Sequence, residues 1–119
     1  LTQYTLAVDR TNERVAALAT PFHPAVIGLI AQTIMAAHKQ GKWVGLCGEL
    51  AGNPLAAPLL LGLGLNEFSM APAAIPAVKA MLRRFSLVQC QGIAAHALEL
   101  ATAEEVKAYL EEKVAEVVN

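Results

Sequence analysis

Lys42-Trp43-Val44-Gly45-Leu46-Cys47-Gly48-Glu49-Leu50-Ala51-Gly52-Asn53-Pro54 is the stretch around which the chain is organised. It opens on apolar residues suited to a buried strand and closes on Asn-Pro, a common helix start. Between them stand a thiol and a carboxylate separated by one glycine. A strand that ends in Gly-Cys-Gly-Glu and feeds a helix is the βα turn of an α/β protein, where groups at the carboxyl ends of strands face the ligand. Gly45 and Gly48 flank Cys47 and leave room for a substrate to approach backbone and sulfur. Cys47 is therefore the candidate reactive atom, although an inert cysteine packed as a small hydrophobe fits the same pattern.

Working outward, the residues before this stretch predict a helix. Pro21-Phe22-His23-Pro24 punctuates the chain, and from Ala25 to Gln40 the apolar residues Val26, Ile27, Ile30, Ile34 and Ala37 recur at helical spacing. Gly41 stands where a C-cap glycine belongs. The strand then covers Lys42 to Cys47. Asn53 as N-cap and Pro54 at the first position open the next helix, which runs through Leu55, Leu59, Leu60 and Leu63 to Gly64. A second strand follows over Leu65 to Met70, with Ser69 near its carboxyl end. Pro76 opens a further helix with Val78, Met81 and Leu82 on one side and Lys79, Arg83 and Arg84 on the other.

Two capping boxes announce the last two helices, Ser86 with Gln89 and Thr102 with Glu105. Cys90, Ile93, Ala94, Ala97 and Leu98 form the apolar face of the first, which places Cys90 in the core. Val106, Leu110, Val114 and Val117 form that of the second, and the charges from Glu104 to Glu116 make a solvated face. Upstream, Leu1 to Arg10 carries Leu1, Thr5 and Val8 on one helical face, one or two turns ending near Asp9. Asn12 to Thr20 is a loop or a frayed turn. Arg10 is a bidentate group suited to phosphate or carboxylate, or a surface arginine paired with Asp9 or Glu13.

The bulk numbers bound the function. With 119 residues the chain suits one domain, and a net charge of −1 excludes a basic surface for nucleic acid. The apolar run from Leu55 to Leu65 is broken by Pro58 and two glycines and falls far short of the ~20 residues that span a bilayer. Two distant cysteines, Cys47 and Cys90, make no disulfide framework and point to a reducing, cytoplasmic setting. His23 and His38 have no partner at ligand spacing, so no metal site is expected in the chain itself. The start at Leu1, the 55% hydrophobic content and a strand count of two, too few for a stable parallel sheet, all predict a piece of something larger or a tight oligomer.

The chain resembles the C-terminal end of enzyme I of the bacterial sugar phosphotransferase system, the phosphoenolpyruvate–protein phosphotransferases. Leu-Thr-Gln-Tyr-Thr-Leu-Ala-Val-Asp-Arg at 1–10 is similar to the second half of that family's phosphoenolpyruvate-binding signature. Gly-Lys-Trp-Val-Gly-Leu-Cys-Gly-Glu-Leu-Ala-Gly at 41–52 is similar to the block with its catalytic cysteine, and Leu-Gly-Leu-Gly-Leu-Asn-Glu-Phe-Ser-Met at 61–70 to its last barrel strand. The resemblance covers essentially the whole chain. It departs at Thr11, where glycine is common, and at Asn53 and Asn66, where aspartate is usual, which leaves room for a fused, multi-domain relative.

The resemblance implies an α/β fold in which residues 1–119 are the last part of a (β/α)8 TIM-type barrel, incomplete, with two extra C-terminal helices. It implies that Arg10 holds the substrate phosphate and that Cys47 is the proton donor to the enolate carbon as pyruvate forms; the thiol must be protonated to do so. It implies transfer of the phosphoryl group to a histidine and then to a phosphocarrier protein, in sugar uptake, by a cytoplasmic homodimer. Mg²⁺ is the implied cofactor, with its ligands upstream, and the isolated chain is expected to be inactive. Two other readings stand beside this one. The chain could be a non-catalytic association module, or the barrel end of a pyruvate phosphate dikinase or phosphoenolpyruvate synthase.

Overall fold

A computed structural model describes residues 1–118. The spacing of Val26, Ile27, Ile30 and Ile34 produces the longest inner helix, Pro24–Lys39, and buries all four side chains. His23 caps it, its Nδ1 accepting the Ala25 N–H at 3.1 Å. A short helix, Thr2–Leu6 (α1), precedes it, so the Pro24–Lys39 helix is α2. At the far end of α2, Gly41 adopts φ +65° while the Gly41 and Lys42 N–H groups return to the carbonyls of His38 and Ala37. This is the Schellman ending that lets the chain leave a helix and enter a strand at once.

The same device is used a second time. Helix α3, Ala57–Gly62, ends on Gly64 at φ +92°, with Gly64 and Leu65 N–H groups returning to Leu61 and Leu60. The two strands that follow these endings, β1 (Gly45–Cys47) and β2 (Glu67–Ser69), pair in parallel with Gly45 opposite Glu67, Leu46 opposite Phe68 and Cys47 opposite Ser69. Asn66 fixes this register. Its Oδ1 accepts the Val44 N–H at 2.9 Å and lies 2.8 Å from His38 Nε2, while the Val44 carbonyl accepts from Asn66 and Glu67. His38 thus carries its proton on Nε2, since the amide oxygen can only accept.

Helices α4 (Ile75–Leu82), α5 (Leu87–Ala97) and α6 (Ala103–Val118) complete the chain. Both predicted capping boxes form. Ser86 Oγ accepts the Gln89 N–H while Gln89 accepts the Ser86 N–H, and Thr102 and Glu105 do the same. The core gathers α2, α3, Leu65, α5 and α6, with Leu46 and Phe68 of the sheet packed on it. All helices of this core therefore lie against one face of the sheet, and the face bearing Gly45, Cys47, Glu67 and Ser69 is open. Among the described residues no helix is long and apolar enough to cross a membrane.

The α/β class expected from the pattern is present, with several boundaries moved for physical reasons. α1 ends at Leu6, short of the expected Asp9, because Ala7 takes a left-handed φ of 53°. Val8 leaves the helix and turns inward, so the face shared by Leu1, Thr5 and Val8 does not form. α3 begins at Ala57 and not at Pro54. Pro58 lacks the N–H that would bond the Pro54 carbonyl, so residues 54–56 wind as turns and the proline falls in the first helical turn, where no donor is needed. Asn53 still caps a turn, accepting the Leu55 N–H at 2.9 Å. The strands are shorter than Lys42–Cys47 and Leu65–Met70 because ladder pairing exists only where the two run side by side. Leu98, expected in the buried face of α5, lies beyond its last residue and is exposed.

Candidate active site

The carboxyl end of β1 delivers Cys47 to the surface, and the chain turns sharply after it because Gly48 holds φ +111°. The Gly48 N–H donates to the Ser69 carbonyl at 3.3 Å, locking this turn to the neighbouring strand end. Glu49 follows, exposed, and Ala51 is wholly buried, so the loop is anchored directly behind the thiol.

Arg10 is positioned by a different local rule. Asp9 Oδ1 accepts both the Thr11 N–H at 2.9 Å and the Thr11 hydroxyl at 2.8 Å, an Asx turn that fixes the backbone on either side of Arg10. These two bonds to Thr11 hold the Asp9 carboxyl below its ordinary range, with a smaller contribution from the Arg10 charge. The turn is therefore fully formed above the ordinary aspartate value of about 3.9 and is lost as pH falls through the lower, folded-state value. An amide-proton titration should show Thr11 shifting only in that acid range; a Thr11 titration centred near or above the ordinary value would contradict the assignment. The pairing of Arg10 with Asp9 or Glu13 does not form: among the described residues its guanidinium takes part in no ion pair.

Arg10 and Cys47 line one cleft. Its volume is about 350 Å³, and it is walled by Leu1 to Gln3, Val8 and Pro21 on one side and by Leu46 to Leu50 on the other, with Val26 and Ile30 of α2 beneath. An apolar floor with a guanidinium, a thiol and a carboxylate on its rim suits a small anionic ligand. A second cleft adjoins it, sharing Gly48 and Glu49 and continuing to Ser69, Met70 and Ala74. The two sequence-predicted residues are thus brought together at the strand ends.

Other chemistry-bearing residues lie elsewhere. Cys90 is fully buried in α5, and its desolvation pushes the thiol up from its usual value, as suits a packing residue. His23 and His38 are engaged in the cap and the Asn66 contact. Among the described residues no three His, Cys, Asp or Glu side chains converge as a metal cage. Sequence reasoning missed that Ser69 shares the open face with Cys47; the only signal was its place near a strand end, and the register that makes it a neighbour is not legible locally.

Residues 1–87 match the family of PEP-utilising enzymes, in its PEP-binding domain. The chain is 50% identical over 110 residues to the phosphoenolpyruvate-protein phosphotransferase of Geobacillus stearothermophilus, covering 92% of this chain and 19% of that protein. It is 50% identical over 112 residues to the protein of the same name from Haemophilus influenzae, covering 94% and 20%. It is also 54% identical over 108 residues to the multiphosphoryl transfer protein of Xanthomonas campestris pv. campestris, covering 91% and 13%. The chain therefore spans about a fifth or less of the length of these relatives.

Proposed function

The chain belongs to the PEP-utilising enzyme family, residues 1–87 matching the PEP-binding domain, and from that premise we propose that it forms the substrate end of a phosphoenolpyruvate–protein phosphotransferase. The observation that carries the reading is the common cleft of Arg10 and Cys47, two residues far apart in sequence. In the proposed reaction Arg10 holds the phosphate as the bond from phosphorus to the C2 oxygen breaks and that oxygen keeps the electron pair. A bidentate guanidinium suits charge spread over phosphate oxygens. The Cys47 thiol then gives its proton to C3, forming the C–H bond of pyruvate as the C2 carbonyl closes. The phosphoryl group passes to a histidine in another domain of the parent protein and from there to a phosphocarrier protein, in sugar uptake.

Residues 1–119 are, in this reading, the last part of a (β/α)8 barrel. Supporting it are the parallel pair, the helix before each strand, and a sheet with one face on helices and the other open. Mg²⁺ belongs to the parent enzyme, with ligands from outside this chain. A cytoplasmic homodimer is part of the proposal, and exposed Trp43 and Met35 are apolar groups that such an assembly would cover.

The test uses the parent protein with phosphate-labelled phosphoenolpyruvate. Label should appear on a histidine as pyruvate is released, and this chain alone should transfer none. Arg10→Gln should raise KM about 10- to 100-fold, the scale of a lost charge-assisted hydrogen bond. A parent that leaves the label on its substrate, or an Arg10→Gln variant with unchanged kinetics, would sink the assignment.

A further inference from the structure

Because Cys47 and Ser69 are register partners in a parallel pair, their side chains project from the same face of the sheet. Adjacent strands lie about 4.8 Å apart, so the two residues are neighbours on this face, with no hydrogen bond between their side chains among the described residues. The neighbouring pair confirms the geometry one step down the strands, where a Cβ placed on Gly45 would meet the Glu67 side chain at 3.2 Å. Both Cys47 and Ser69 are exposed on this face, and among the described residues the Ser69 hydroxyl is engaged in no hydrogen bond. Its backbone, by contrast, is held twice, by the ladder and by the Gly48 N–H on its carbonyl. Of the side chains lining the second cleft, Ser69 is also the one neutral hydrogen-bond donor; Glu49 offers only acceptors once ionised, and Met70, Ala71 and Ala74 offer no donor.

We propose that Ser69 is a positioning residue for Cys47, its hydroxyl donating a hydrogen bond to the sulfur as the thiol gives up its proton. This rests on the phosphotransferase reading above. As the S–H bond breaks and the C3–H bond forms, negative charge develops on the sulfur. The Ser69 hydroxyl, uncommitted and on the neighbouring strand, turns onto the sulfur and stabilises that charge. The proton that restores the thiol comes from solvent at the carboxyl ends of the strands.

The experiment measures pyruvate release by the parent enzyme carrying Ser69→Ala, Ser69→Thr or Cys47→Ala. A hydrogen bond to a charged group is worth roughly ten- to a hundredfold in rate. Ser69→Ala should therefore lower kcat about that much with KM unchanged, and Ser69→Thr, which keeps the hydroxyl, should restore it. Unchanged kcat in Ser69→Ala, a change confined to KM, or no rescue by threonine would each overturn the assignment. If the unaltered parent releases no pyruvate, the phosphotransferase reading itself has failed; if it does and Cys47→Ala is slow, a normal Ser69→Ala defeats only the role of Ser69.

Discussion

Gly62→Ala is expected to destabilise the fold by about 1–3 kcal/mol or more, the cost of forcing extra volume into a packed contact. Gly62 lies in the last turn of α3 where that helix crosses α5. A Cβ there would overlap the Cys90 carbonyl and stand 2.9 Å from the Ala94 Cβ. The obstacle is backbone, which has no rotamer to adopt, so the two helices must separate. Leu59 and Leu60 would then loosen from Ile93, Ala94 and Ala97, all buried in one cluster. Gly28→Ala is the natural control. It sits inside α2 with nothing within 4 Å of the added carbon, and alanine there should stabilise by about 0.5–1 kcal/mol through helix propensity. Urea unfolding of the two variants should move the midpoint in opposite directions; an unmoved midpoint for Gly62→Ala would refute the close crossing.

Cys47→Ala in the parent enzyme is expected to slow pyruvate release by about 10² to 10⁴, the usual worth of a positioned general acid. Phosphoenolpyruvate binding should persist, because Arg10 and the cleft floor of Val26 and Ile30 are untouched. The thiol lies on the surface at the end of β1, so its removal leaves no core cavity and stability should hold. A variant that keeps full activity would leave Cys47 as a surface residue. One that loses binding and rate together would point to a substrate contact in place of a proton donor.

What the sequence disclosed and what it withheld follow from how local each signal is. The capping boxes at Ser86 and Thr102, the glycine endings at Gly41 and the spacing within α2 depend on residues a few positions apart, and all were legible. The start of α3 was misplaced although its cause is local: the missing N–H of Pro58 outweighs the helix-opening signal of Asn53 and Pro54. The extent of each strand depends on the partner strand, and Gly62 looks unremarkable between two leucines until α5 is laid across it. Arg10 and Cys47 were each legible as candidates, the first as a bidentate group suited to an anion or to a surface pair and the second as a strand-end thiol. That they meet in one cleft is a property of the fold, set by the turn of Ala7 and Asp9 on one side and by the β1 ladder on the other. Ser69 beside Cys47 is of the same kind, since only the register makes them neighbours.

The most direct test of the central claim runs the proton step backwards. The parent enzyme, with Mg²⁺, is incubated with pyruvate in deuterium oxide, and loss of the C3 hydrogens is followed by proton NMR. If Cys47 exchanges a proton with C3, the unaltered enzyme should label pyruvate, and Cys47→Ala should reduce that labelling by at least about 10² while still binding phosphoenolpyruvate. Labelling by Cys47→Ala at the unaltered rate would show that the proton comes from another group and that the cleft of Arg10 and Cys47 is not where pyruvate is made.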